Sequence, residues 1–105
     1  MEPKQFYIAG VQHHNLKSCL RYLKEGDALE LVPEPSNKFD PNAVRIEHSE
    51  PDETYMTGYV PRKFSSEIAG SIEIGKRLEC KIITLTPSAK PWEMCKVEIK
   101  EVEDV

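Results

Sequence analysis

Between Glu34 and Ile46 the chain reads Glu-Pro-Ser-Asn-Lys-Phe-Asp-Pro-Asn-Ala-Val-Arg-Ile, and here its polar chemistry is densest. Asn37, Asp40 and Asn42 carry short side chains that accept hydrogen bonds from nearby backbone N–H groups, as Asx-turns do. Phe39 does not belong to that pattern. An aromatic ring in the middle of a polar loop either folds back onto the core or stands out as a flat apolar platform. Composition alone leaves two readings open: a well-capped loop, or a loop that presents Phe39 and the Asp40 carboxylate to a ligand.

Other side chains invite chemistry less strongly. Pro51-Asp52 followed by Glu79-Cys80-Lys81 matches the loose nuclease pattern Pro-Asp…Glu-x-Lys, in which carboxylates hold Mg²⁺ and the lysine helps to activate water. The pattern is weak, because Glu98-Ile99-Lys100 repeats Glu-x-Lys in a chain that is 30% charged. Asp52 also falls in a hairpin loop, a poor support for a metal. No Gly-x-Ser-x-Gly occurs, and no cysteine has a foreseeable histidine partner. His13 and His14 are adjacent, so in extended chain they point apart and do not chelate one ion. His48 is the only other histidine. Neither metal nor cofactor is expected, and the chain reads as a non-enzyme. Cys19, Cys80 and Cys95 are odd in number and widely spaced, as reduced thiols are. Cys80 and Cys95 fall in apolar strand patterns and are expected to be buried. Trp92, after Pro91 at a strand start, is expected in the core rather than as a stacking platform.

The elements that position these residues follow from hydrophobic periodicity. A first strand is predicted at Lys4–Val11. A helix follows, with Asn15 as N-cap and Leu16, Cys19, Leu20 and Leu23 as one apolar stripe, ended by Gly26. Further strands are predicted at Ala28–Glu34, Ala43–His48 and Thr54–Val60, the last two joined by a Ser-Glu-Pro-Asp-Glu hairpin loop. Pro61 suits the first turn of a second helix, with Phe64, Ile68, Ala69 and Ile72 on its apolar face and Gly75 at its end. The last strands are predicted at Leu78–Thr86 and Trp92–Lys100. Each switches parity midway, at Ile82/Ile83 and at Met94/Cys95, as β-bulges do. The order β-α-β-β-β-α-β-β with two bent strands predicts a mainly β fold with two short helices, an OB-like, partly open six-stranded barrel rather than a parallel sheet. One domain is expected over residues 4–100, with an acidic tail at 101–105.

Composition bounds the function. The chain has 105 residues, with 14 Lys+Arg against 18 Asp+Glu and a net charge of −4. No chain-wide basic field exists to hold duplex DNA or an anionic membrane, so any nucleic-acid contact must be local. The apolar runs are too short for a membrane span. The opening Met-Glu-Pro-Lys is not a secretory signal, so the expected location is cytoplasmic.

The string Glu34-Pro-x-Asn-x-Phe-Asp-x-Asn-Ala-Val44 resembles the HIRAN domain. So do Phe6-Tyr-Ile-Ala-Gly-Val11, Gly26-Asp-Ala-Leu-Glu-Leu31, and Gly58-Tyr-Val-Pro61 leading into a helix. These four blocks, in order, cover about residues 5 to 75. HIRAN domains occur at the N-terminus of certain Swi/Snf-type DNA translocases and as free-standing bacterial or phage proteins. The resemblance implies an OB-like barrel with added helices that binds single-stranded DNA at a free 3′ end, in repair or replication.

In that light Phe39 would stack on the terminal base, a contact worth about 1–3 kcal/mol. The Asp40 carboxylate would accept a hydrogen bond from the 3′-hydroxyl and repel a 3′-phosphate. Tyr59 falls where the family lines the pocket under the terminal nucleotide. Lys38, Arg45, Arg62 and Lys63 would neutralise nearby phosphates. Where translocase-borne members place a basic residue and an aromatic after the first strand, this chain has Gln12 and His13. The implied partners are single-stranded DNA or DNA 3′ ends, with a helicase, translocase or nuclease acting in trans. The alternative is a protein-interaction module that docks such a partner. A metal-dependent nuclease is the third and weakest reading.

Overall fold

Six strands in antiparallel pairs wrap around one apolar core. Residues 1–103 are described by a computed structural model. In chain order the elements are β1 (Lys4–Tyr7), a 3-10 turn (Val11–His13), α1 (Leu16–Cys19) running into a second 3-10 turn (Leu20–Tyr22), β2 (Ala28–Pro33), β3 (Val44–Glu50), β4 (Glu53–Tyr59), α2 (Arg62–Glu73), β5 (Leu78–Leu85), a 3-10 turn (Pro91–Glu93) and β6 (Cys95–Glu101). The strand order across the sheet is β1-β6-β5-β2-β3-β4. Of the expected acidic tail, Glu101 is the last residue of β6, and Asp104 and Val105 lie outside the described residues.

Alternation builds the core. Phe6, Val44, Ile46, Cys80, Ile82, Cys95, Val97 and Ile99 all point inward and are buried, as period-2 strands with one wet face require. α2 adds Ile68, fully buried, and Phe64, whose ring stacks on Phe6 with centroids 5.6 Å apart. All three cysteines are free and buried. Burial pushes the Cys80 and Cys95 thiols up to about 12.

Among the described residues the barrel closes at a single point. Beyond β1, Ala9 exchanges two backbone hydrogen bonds with Tyr59 at the end of β4, at 2.9 and 2.8 Å. The strands can approach there because residue 58 is glycine. A Cβ on Gly58 would lie 2.4 Å from the Ala9 carbonyl oxygen and 2.6 Å from Ile8 Cγ2. One pair of bonds makes a seam, so the barrel is partly open as expected.

Four expectations are corrected. The first strand stops at Tyr7 rather than Val11, because Gly10 takes a left-handed φ of 70° and turns the chain into the 11–13 turn. The first helix is one α turn followed by 3-10 geometry, and the Asn15 side chain makes no capping hydrogen bond. The parity switch in β5 is a true bulge, with Ile83 the extra residue between the pairs Ile82–Val97 and Thr84–Lys96. The switch in the last strand is not a bulge: Pro91–Glu93 is a 3-10 turn and β6 starts at Cys95. Trp92 is accordingly 54% exposed, not core. A second bulge at Thr57 bends β4. Thr57 is fully buried, and its hydroxyl donates to the Ile46 carbonyl at 2.7 Å, satisfying the ladder the bulge interrupts.

Candidate nucleic-acid interface

The loop between β2 and β3 is pinched at its neck, where the Glu34 N–H donates to the Ala43 carbonyl at 2.8 Å. Inside it, Asn37 Oδ1 accepts the N–H groups of Phe39 and Asp40 at 2.8 and 3.0 Å. Asp40 Oδ1 accepts the Asn42 N–H at 2.9 Å. These are the Asx-turns predicted at Asn37 and Asp40, while Asn42 takes part through its N–H. They hold the backbone while the Phe39 ring stays 84% exposed. The well-capped loop and the displayed aromatic are therefore the same structure.

Asp40 also ties the loop to α2. Ser65 Oγ donates to its Oδ2 at 2.9 Å, and the Arg62 guanidinium donates to the Phe39 carbonyl at 2.8 Å. The Asn42 N–H, then the Ser65 hydroxyl, then the Arg62 charge hold the Asp40 carboxyl below the usual carboxylate range. Each carboxylate oxygen has two lone-pair sites, so one contact on each leaves Asp40 able to accept again.

Under the loop, Glu34 gathers three partners. Its Oε1 accepts Asn37 Nδ2 at 2.8 Å and the Tyr59 hydroxyl at 2.9 Å. Its Oε2 lies 3.3 Å from Arg45 Nε, an ion pair without hydrogen-bond geometry, since that nitrogen is buried and has no hydrogen-bond acceptor. Burial pulls the Glu34 carboxyl upward, but the Asn37 and Tyr59 hydrogen bonds and the Arg45 charge outweigh it, and it sits below its ordinary value. Tyr59 responds in the opposite sense: burial first, then its bond to and repulsion from Glu34, raise its phenol.

Opposite the loop, the turn after Gly10 brings in the histidines. The His14 ring meets Tyr59 edge to face, centroids 5.5 Å apart. Burial and then the neighbouring His13 lower the His14 pKa, while Glu34 pulls it up. His13 and His14 both line the groove. His13 closes the 3-10 turn and His14 follows it in extended geometry, so the two rings reach the groove from different backbone conformations. Among the described residues no cluster of three or more His, Cys, Asp or Glu is placed to hold a metal ion.

The result is a groove of about 590 Å³. Ala9, Gly10, Ala43 and Val60 give it an apolar lining, Tyr59 and Phe39 supply rings, and His13, His14, Asn37, Asp40 and Arg62 supply polar groups. Of the residues singled out from sequence, Phe39, Asp40, Tyr59, His13 and Arg62 converge here. Gln12, Lys38 and Lys63 are exposed but off the lining, and Lys63 caps the Phe64 ring at 5.0 Å. Arg45 is also off the lining: its guanidinium is engaged by Glu34 and by the buried Glu47. It supports Tyr59, its cross-strand partner. Sequence reasoning missed Glu34, Ser65 and the part played by His14.

A small OB-like barrel with a capped loop over an aromatic groove defines a binding domain. A family model described as the HIRAN domain matches residues 4–100, and the chain belongs to that family. Membership supports a nucleic-acid-binding role and the generally non-catalytic character of such domains. Among solved structures the chain resembles the HIRAN domain of human HLTF, with TM-score 0.71 and 10% identity over 94% of this chain and 74% of that one. It also resembles a protein from Lactobacillus plantarum, with TM-score 0.76 and 18% identity over 95% of this chain and 97% of that one. At these identities the likeness shows the fold. No curated protein matches the sequence.

Proposed function

We propose that this domain binds single-stranded DNA at a free 3′ end without cleaving it, and works in the cytoplasm in repair or replication alongside a helicase, translocase or nuclease acting in trans. The observation that carries this reading is Phe39, 84% exposed at the groove and fixed by Asn37, with the Asp40 carboxylate next to it. The terminal base stacks on the Phe39 ring. The 3′-hydroxyl donates to Asp40, and a phosphate there is repelled by the same charge. Tyr59 presents its ring to the groove because its hydroxyl is committed to Glu34. Arg62, His13 and His14 face the first phosphates. With so few cations in reach, affinity comes more from stacking than from counterion release. No helix among the described residues is long and apolar enough to cross a membrane.

The test is titration of a labelled single-stranded oligonucleotide against its duplex. Tighter binding of the single strand, with a log–log salt slope of roughly −1.5 to −2 from two or three neutralised phosphates, is expected. Equal binding of both forms overturns the reading. A second reading, a groove for a peptide of a helicase or nuclease, is favoured by the apolar lining. It predicts no response to oligonucleotides at all.

A further inference from the structure

One face of α2 meets the loop in two different ways. Arg62, Ser65, Ala69, Ile72 and Glu73 follow the three- and four-residue spacing that puts side chains on one side of a helix. In the first half of α2 the loop is latched: Arg62 donates to the Phe39 carbonyl and Ser65 to the Asp40 carboxylate. In the second half a cavity of about 320 Å³ opens between Ala69, Ile72 and Glu73 on the helix and Pro33, Pro35 and Pro41 on the end of β2 and the loop. Ala43 lines this cavity and the groove alike, so the two lie back to back across the base of the loop.

The lining selects its guest. Proline has no N–H, and the side chains of Ala43, Ala69 and Ile72 are all carbon, so a polar guest would leave its groups unpaired there. Pro and Ala side chains have no rotamer freedom to lose, which makes the cavity ready for a rigid apolar group. Its volume is at the lower end of the roughly 300–1,000 Å³ of ligand pockets, which suits one large side chain. Glu73 adds a charge. It is exposed at the last position of α2, where the helix dipole is negative too. Among the described residues its carboxylate has no hydrogen-bond or ion-pair partner. The complement of this site is an aromatic ring with a cation beside it.

We infer that this cavity docks a segment of a partner protein, which inserts one aromatic side chain between the prolines and α2 and sets an adjacent lysine or arginine against Glu73. The inference rests on the part of the proposed function that places a partner in trans, not on the DNA contacts in the groove. Buried aromatics and arginines are the side chains that anchor protein interfaces. Docking there leaves the Phe39 and Asp40 side of the loop open, so the partner and a DNA end occupy the domain together.

The experiment follows the backbone amides of the full chain by heteronuclear NMR as capped tetrapeptides are added: acetyl-Gly-Phe-Lys-Gly-amide, its Phe-Glu counterpart and its Ala-Lys counterpart. The Phe-Lys peptide should shift Asn42, Ala69, Ile72 and Glu73 saturably. The Phe-Glu peptide should bind roughly two- to fivefold more weakly, the effect of one exposed ion pair, and the Ala-Lys peptide should not bind. Glu73→Lys should invert the preference between the two Phe peptides. Ala69→Leu should abolish the shifts and leave oligonucleotide affinity unchanged, with circular dichroism checking its fold. A single-stranded oligonucleotide should bind without displacing the peptide. No saturable shift at these amides, displacement of the peptide by the oligonucleotide, or a charge preference unchanged in Glu73→Lys overturns the docking site. Shifts at the same amides that grow with protein concentration alone assign the cavity to Lys38 and Phe39 of a second copy and overturn the partner. Oligonucleotides that fail to bind while the peptide shifts persist overturn the groove reading and leave this site standing.

Discussion

The Tyr59 hydroxyl donates to the Glu34 carboxylate at 2.9 Å across 25 residues of sequence, and this bond joins the wall of the groove to the loop that caps it. Glu34 starts the loop, Asn37 shapes it, and both converge on the oxygen that receives Tyr59. Arg45, directly opposite Tyr59 on β3, closes the arrangement electrostatically. Groove residues drawn from β4 and from a loop are thus held by one carboxylate.

Tyr59→Phe keeps the ring and removes the bond. Glu34 keeps its Asn37 donor and its Arg45 charge, so no group is left bare. Folding stability should fall by about 1 kcal/mol, measured by urea denaturation. DNA affinity should change less than it does in Phe39→Ala.

Phe39→Ala should weaken single-strand binding by about 1–3 kcal/mol and leave folding stability within about 0.5 kcal/mol, because the ring is exposed. Anisotropy and denaturation on the same preparation separate the two. A large loss of stability would mean that the ring supports the loop rather than the ligand.

Gly58→Ala should destabilise the fold by about 3 kcal/mol. The added methyl meets a backbone carbonyl, which cannot rotate away, at the seam where Ala9 pairs with Tyr59. Thermal denaturation checks this, and hydrogen exchange should show the Ala9 and Tyr59 amides losing protection first.

Glu34 and Asp40 both titrate below their unfolded values of 4.5 and 3.8. A depressed folded pKa favours the folded chain at pH above the unfolded value, and that advantage is lost as pH falls through the folded one. Stability should therefore fall in two stages, first below about pH 6.5, because the folded pKa of His14 is lowered too, and again below about 4.5 as the two carboxylates protonate. Glu34→Gln should flatten the acid limb, as followed by urea midpoints across pH. An unchanged limb would show that Glu34 is not ionised against Arg45 and Tyr59.

Local patterns in the sequence carried much of this. Period-2 stretches such as Val44–Ile46 and the parity change at Ile83 depend only on neighbours along the chain, so the strands and the β5 bulge were legible. Asn37 and Asp40 act on their own backbone, so the loop's turns were legible too. What escaped depends on register. Arg45 looked free because nothing local says that β3 sets it opposite Tyr59 and within reach of Glu34 and Glu47. Thr57 alternates normally in sequence, and only the register, in which Ile46 pairs with Gly58 and Glu47 with Met56, reveals it as the extra residue. Trp92 looked like a strand start, but Pro91 opens a 3-10 turn that leaves the ring outside. His14 joined the groove through the left-handed turn at Gly10, which an extended reading of the histidines ignored.

Asp40, beside the Phe39 platform, is proposed to select a hydroxyl terminus. The direct measurement is the affinity of one single-stranded oligonucleotide carrying either a 3′-hydroxyl or a 3′-phosphate, for the wild type and for Asp40→Asn. The wild type should prefer the hydroxyl end roughly tenfold or more, the equivalent of one charge-assisted hydrogen bond, and Asp40→Asn should bind both ends with near-equal affinity. Superimposable wild-type curves for the two ends would contradict it.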